Sequence, residues 1–224
     1  MYPTEPLQTL QERFKKYSPP TNIHVSQRAS VLIPIFEKNA ELNVLLTRRS
    51  TKLNSHAGQV SFPGGREEAF DTSPQETALR ESYEEIGLLS SQVTILGKLD
   101  QILSRNFLIV TPVIGVIPED FVARPDPIEI ESVFHVPFSF FMQEENHVIK
   151  EFKTKRPYLS HHFYFEGYDI WGLTALLILR FLEIGLGYVP EYPVHHPKAS
   201  TWMELSISFR EEHTQELEEG WTRT

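Results

Sequence analysis

Glu81, Glu84 and Glu85 stand at i, i+3 and i+4 of a segment that carries helix signals. On an α-helix these positions share one face. Arg80 lies four residues before Glu84 and can pair with it along that helix. Residues 66–85 hold seven acids (Glu67, Glu68, Asp71, Glu76, Glu81, Glu84, Glu85) against Arg66 and Arg80, a net of −5. Like charges one turn apart destabilise a helix modestly. Sharing a hard cation relieves that repulsion: magnesium and manganese favour oxygen ligands, and magnesium binds through one or two carboxylates plus substrate phosphates. Gly64-Gly65 precedes the acids, and residues without Cβ let backbone approach a ligand closely. The bland alternative is a solvated acidic helix face.

The element that must position these acids is well marked. Ser73 is a natural N-cap, Pro74 fits the first helical position, and Glu76 is placed to complete a capping box. Gly87 suits the left-handed residue that closes a helix. The spacing predicts a helix over 74–86, with Leu79, Tyr83 and Ile86 as an apolar stripe opposite the acids. Upstream, 29–36 and 42–47 read as strands joined by a turn at 37–41, and 60–62 as a short extended piece running into Pro63-Gly64-Gly65. Downstream, 93–99, 108–117, 132–136, 148–152 and 160–165 read as strands, and 170–184 as a buried helix. The fold class expected is α+β. Residues 1–27 read as a packing arm with a short helix bearing Leu7, Leu10, Phe14 and Tyr17. The domain reading is 1–27 arm, 28–186 main domain, 187–224 C-terminal extension.

Composition narrows the chemistry. The 224 residues carry 30 acids against 21 Lys plus Arg, a formal charge of −9. That balance argues against a nucleic-acid partner, which calls for a basic stripe. It leaves room for a small anionic substrate, because a bound cation reverses the local sign. The chain has no cysteine. A disulfide framework, a thiolate zinc site and a Cys nucleophile are excluded. No secretory signal is evident at the N-terminus, no Ser-Lys-Leu address stands at the C-terminus, and no apolar run reaches the ~20 residues that span a bilayer. No membrane partner is expected, and the expected location is cytoplasmic.

Gly65 followed by Arg80-Glu81-Ser82-Tyr83-Glu84-Glu85-Ile86-Gly87-Leu88 resembles the Nudix box of the Nudix hydrolases. Ser82 stands where a small aliphatic is usual. Asp71 stands six residues after Gly65 where the box has Glu, with one extra residue before Arg80. A second stretch, Leu45-Leu46-Thr47-Arg48-Arg49-Ser50 with Gly58-Gln59-Val60-Ser61-Phe62-Pro63-Gly64-Gly65, resembles the motif upstream of the box in the coenzyme A pyrophosphatases of that group, which share the Asp and the longer loop. Asn54 stands where that motif has Arg; Lys52 or Arg48 could substitute. The likeness continues through 111–113, 133–137 and 171–175.

The resemblance implies the Nudix α/β/α sandwich, a mixed sheet between helices. It also implies Mg2+ or Mn2+ held by Glu81, Glu84 and Glu85, with one glutamate doubling as general base. Glu129 is a second candidate for base or extra ligand. Arg80 is expected to hold a glutamate in place. Gly64 and Gly65 are expected to lend backbone to the site. Arg49 is the better of two adjacent arginines for a diphosphate contact, since guanidinium forks suit phosphate oxygens; Arg48 alternates with it and should face away. His56 is a further candidate for phosphate. His161-His162 and His195-His196 lack zinc-site spacing and are expected on the surface or in packing. Trp171 is expected in the core rather than as a stacking platform. Ser50, Ser61 and Ser104 lack the motif of a Ser-His-Asp hydrolase.

The function implied is hydrolysis of the pyrophosphate of coenzyme A or acyl-CoA, to 3′,5′-ADP and 4′-phosphopantetheine or its acyl form. Two alternatives stand beside it. One is hydrolysis of another nucleoside diphosphate derivative, such as ADP-ribose or a dinucleotide. The other is a non-catalytic nucleotide-binding module. The partner expected is a small nucleotide, with homodimerisation left open.

Overall fold

The hairpin at the centre of the sheet turns where the sequence places it. Asn39 and Ala40 take φ of 54° and 58°, the positive values a tight two-residue hairpin turn requires. They join β1 (Arg28–Lys38) to β2 (Glu41–Arg49). The computed structural model describes residues 7–19, 27–53, 55–104, 108–152 and 158–195. Asn54 and His196 lie outside them.

β1 runs antiparallel to β2 and parallel to β7 (Ile109–Val116). β5 (Thr94–Lys98) and β6 (Ile102–Leu103) pair with β7. β3 (Val60–Ser61) and β8 (Ile130–Pro137) pair with β2, and β4 (Gly64–Arg66) pairs with β1. Alternation along each strand sends side chains to opposite faces of this mixed sheet. Ile33, Ile35, Val44, Leu46 and Ile114 enter a core with α1 (Leu7–Lys16) and α4 (Gly172–Leu186). Leu32, Phe36, Leu45 and Val113 enter a smaller core with α2 (Pro74–Ile86). The fold is α+β, the α/β/α sandwich implied by the resemblance. No helix among the described residues is long and apolar enough to cross a membrane.

α1 is bolted to the sandwich by charge as well as packing. Leu10 and Phe14 are buried, and Phe14 stacks on Phe181 of α4 at 5.9 Å. Arg180 Nε donates to Asp100 Oδ2 at 2.5 Å, and the Tyr17 hydroxyl donates to Asp100 Oδ1 at 2.7 Å. Burial pushes the Tyr17 phenol up to about 12.

α2 forms as its caps dictate, with two differences. Ser73 accepts the Glu76 N–H, and Gly87 closes the helix at φ 71°. Glu76 reaches past Ser73, however, and accepts the N–H and hydroxyl of Thr72, both at 2.7 Å. The buried face is also displaced from the expected stripe. Tyr83 is 56% exposed, while Thr77, Ala78, Ser82, Glu85 and Ile86 are buried. Small residues let the helix sit close to β1 and β4, and this rotation carries Glu85 inward. Ser82 Oγ donates to Ala78 O at 2.6 Å, which satisfies a hydroxyl at an otherwise apolar position.

A second, antiparallel sheet of β9 (His147–Phe152), β10 (Tyr158–Phe165) and β11 (Tyr168–Trp171) packs beside the first, after the short α3 (Phe138–Phe141). β11 takes Ile170 and Trp171 from the expected helix, pairing them with Phe163 and His162. Gly172 at φ 63° then turns the chain into α4, which passes Gly185 and ends at Gly187, φ 66°. Trp171, expected in the core, is 36% exposed and stacks on His162 at 5.7 Å.

His161 and His162 are packing residues. His162 Nδ1 meets Asp169 at 2.9 Å. His161 Nε2 faces Val194 O at 2.8 Å, a carbonyl that requires an N–H there and leaves Nδ1 to accept from His147 Nε2 at 2.9 Å. Burial, with repulsion from His161 and His162, pushes His147 down to about 4, and burial also lowers His161 and His195. Folding disfavours the charged form of all three rings, while unfolded histidine takes a proton near 6.5. The His147 contribution is complete above that value and is lost as pH falls from it toward 4, and His161 and His195 act in the same direction. Urea unfolding should show stability falling by on the order of 1 kcal/mol between about pH 7 and pH 5. His147→Gln, which keeps a donor for His161, should flatten that slope.

Candidate active site

Glu85 is the deepest glutamate of the site. Its side chain is 4% exposed. α2 turns it toward β4, where Gly64 N–H donates to Oε2 at 3.1 Å. From β2, Arg49 Nη1 donates to Oε1 at 3.2 Å. Burial pushes the Glu85 carboxyl up to about 7; Gly64 and Arg49 pull it down, and Glu81 and Glu129 push it further up. The C-terminal carbonyls of α2 are taken by the next loop, where Arg124 N–H donates to Ile86 O and Asp126 N–H to Glu85 O.

That loop leads into β8 and delivers Glu129. Ser50 N–H donates to Glu129 O at 2.7 Å, and the β2–β8 register shifts between Arg48 and Arg49. The shift brings Glu129 to the same side as Arg49, with Nη2 3.9 Å from Oε2. Arg48 faces the other way, pairing with Glu131 at 3.5 Å and lying over the Tyr168 ring.

Arg80 organises the other acids. Nε and Nη2 grip the two oxygens of Asp71 at 3.1 and 2.9 Å. Nη1 serves Glu81 at 2.8 Å and Glu84 at 3.2 Å, and Nη2 also reaches Arg66 O at 2.9 Å. The Asp71 side chain is 3% exposed and the guanidinium holds its carboxyl below the usual range. Burial raises Glu81, offset by Arg80 and reinforced by Glu84 and Glu129. Glu84 is the open member, its side chain 55% exposed.

The three glutamates therefore do not converge as the sequence reading expects. Among the described residues, no three acidic or histidine side chains form a ready metal cluster. Two guanidinium groups divide them, Arg80 holding Glu81 and Glu84 on one nitrogen and Arg49 holding Glu85. Arg49, expected on diphosphate, is engaged with carboxylates. His56 sits in the 50–59 loop at φ 55° with Nδ1 2.8 Å from Gln59 Oε1. Ser50 and Ser61 Oγ meet the Lys52 N–H and the Thr47 hydroxyl.

A family model described as the NUDIX domain matches residues 26–150. The chain belongs to the Nudix family. Nudix hydrolase 15, mitochondrial, of Arabidopsis thaliana is 39% identical over 180 residues, 77% of this chain and 63% of that protein. Nudix hydrolase 22, chloroplastic, of the same plant is 40% identical over 162 residues, 69% and 54%. The chain thus spans less than two thirds of either plant protein. The peroxisomal coenzyme A diphosphatase NUDT7 of Mus musculus is 33% identical over 176 residues, 75% of each chain. The expected cytoplasmic location is overturned by these relatives, which are named for mitochondria, chloroplasts and peroxisomes.

Within the Nudix box the structure answers what the spacing left open. Asp71, absent from the candidate site residues, is the acid that anchors Arg80 despite the longer loop. Its position after Gly65 was the signal. The Arg49–Glu85 pair had none, because strand and helix meet only in the fold.

Gly64 and Gly65 meet different neighbours. A Cβ on Gly64, whose φ is 154°, would strike Ser30 O and Val31 Cα in β1. A Cβ on Gly65 would strike the carboxylate of Glu81. Gly64→Ala should cost about 2–4 kcal/mol, because backbone cannot yield. Gly65→Ala should cost within about 1 kcal/mol, because a side-chain end can. Urea unfolding of the two variants checks the contrast.

Proposed function

We propose that this Nudix protein is a metal-dependent hydrolase of phosphoanhydride bonds in nucleoside diphosphate derivatives, with coenzyme A or its acyl esters as substrate. The observation that carries the reaction is the set of four carboxylates, Glu81, Glu84, Glu85 and Glu129, beside the Gly64–Gly65 backbone. The choice of coenzyme A is supported by the likeness to the mouse coenzyme A diphosphatase and by the motif at 45–65.

The donor set fits a hard divalent cation. It is all oxygen, as magnesium and manganese prefer. Burial raises Glu81 and Glu85, and neighbouring acids add to it, so added positive charge would stabilise their ionised forms. Glu81, Glu84 and Glu85 would hold the ion, after side-chain turns that leave Arg80 and Arg49. The chemistry it would supply there is Lewis-acid stabilisation of phosphoryl charge and activation of water.

The chain's own residues do the positioning. Gly64 N–H fixes Glu85 Oε2. Asp71 fixes Arg80, and Arg80 orients Glu81 and Glu84. Gly65 leaves the space Glu81 occupies. Glu129, half-exposed and 3.9 Å from Arg49, would serve as the base that takes a proton from the attacking water, and its exposure would give that proton a path to solvent. Hydrolysis adds water across the P–O–P bridge: one phosphorus takes the hydroxyl, and the bridging oxygen leaves with the other.

Incubation with coenzyme A, ADP-ribose and a diadenosine polyphosphate in Mg2+ or Mn2+ tests the substrate. Release of 3′,5′-ADP from coenzyme A is the expected result. Cleavage of ADP-ribose with coenzyme A untouched overturns the substrate, and no cleavage of any overturns the reaction. Glu84→Gln should lower kcat by about 100-fold or more, and Gly65→Ala by about 10-fold. Turnover unchanged in Glu84→Gln removes that residue from the machinery.

A further inference from the structure

Arg49 occupies the place of a charge that the proposed reaction would also bring. Its Nη1 sits on Glu85 Oε1, while Oε2 is committed to Gly64 N–H. Oε1 is thus the oxygen left for a metal, and Arg49 holds it. The guanidinium also neighbours Glu129, at 3.9 Å. Its side chain is 23% exposed, against 4% for Glu85 and 48% for Glu129. A carboxylate so buried, when ionised, needs a counter-charge. Two cations crowded on one oxygen repel, and more strongly where water is scarce.

The two arginines of the site differ in what their departure would leave. Arg80 has all five N–H groups engaged, on three acids and a backbone carbonyl. Arg49 is anchored through its backbone, whose N–H donates to Gln59 O and whose carbonyl accepts from Gly58 N–H. Its guanidinium, on a flexible stem, grips one buried oxygen and approaches one exposed acid. It can leave without dismantling the loop.

We propose that Arg49 is an exchangeable counter-ion. It neutralises Glu85 in the metal-free protein, is displaced when a divalent cation takes Oε1, and then turns to the substrate's diphosphate. This rests on the metal-dependent reading above. Arg49 thus opposes metal binding in the empty site and favours substrate once metal is present, so metal and diphosphate bind with positive, reciprocal coupling.

The test is Mn2+ binding to the full chain without substrate, read from the electron paramagnetic resonance of free Mn2+ at about pH 8.5, above the range where carboxylates titrate. Arg49→Gln should bind Mn2+ about five-fold or more tightly than the parent, and Arg49→Lys, which keeps the charge, should bind like the parent. At saturating Mn2+, Arg49→Gln should raise KM about ten-fold, with a smaller change in kcat. A general loss of structure would weaken metal binding, the opposite direction. Arg49→Ala is the second variant if the glutamine form does not fold; failure of both to fold would make Arg49 a folding element and overturn the exchange. Unchanged or weaker Mn2+ binding in a folded variant, with the parent binding, overturns the exchange and leaves the metal reading standing. No Mn2+ binding by the parent overturns both.

Discussion

The site depends on neutralising several carboxylates that one helix forces together. Glu81, Glu84 and Glu85 cannot separate by more than side-chain rotation allows, and Glu129 arrives from the turn before β8 to join them. Burial makes the repulsion worse: the acids that raise Glu85 act through little water. The structure answers with two arginine forks and one backbone N–H. Each acts on a different part of the cluster: Arg80 on Glu81 and Glu84, Arg49 and Gly64 on Glu85. The neutralisation is local and directional, so it also sets where each oxygen points.

That requirement explains features that otherwise look like incidental irregularities. The shift between β2 and β8 at Arg48/Arg49 brings Arg49 and Glu129 to one side. Small residues on the buried face of α2 let Glu85 reach the Gly64 N–H. Gly65 lacks the atom that would evict Glu81. Each is a departure from regular strand or helix packing, and each serves a carboxylate.

The parts legible in the sequence are those set by neighbours in the chain. Ser73, Pro74 and Gly87 bound α2 because capping is chemistry of adjacent residues. The β-rich apolar runs at 29–36 and 42–47 show β1 and β2 for the same reason. The row Glu81, Glu84, Glu85 was legible as helical spacing, and the Nudix box gave it a context. What escaped was set by distant partners. Tyr83 looked apolar enough to be buried, yet the sheet receives Ala78 and Ser82 instead. Ile170 and Trp171 looked helical, yet β10 recruits them. The pairing of Arg49 with Glu85 joins residues 36 apart, and no local pattern marks it. The spacing of the glutamates likewise did not show which bases the fold places among them.

The longer loop before Arg80 shows how far such a site tolerates change. A shorter acid, Asp71, stands at the position of the first glutamate in the box, and one extra residue lies between it and Arg80. Aspartate brings its carboxylate one methylene closer to the backbone, so the chain must carry it nearer to the arginine, and the added residue gives the loop that reach. Asp71 N–H donates to Glu68 O, and Glu68 N–H returns to Asp71 Oδ2 at 2.9 Å, so the loop folds on itself around the anchor. The side chain ends nearly sealed from water, two oxygens on one fork. Bidentate geometry rewards a short, stiff acid, because fewer rotatable bonds are frozen to make the same two hydrogen bonds. On this loop the short acid holds Arg80 by two hydrogen bonds, and Arg80 so held faces Glu81 and Glu84.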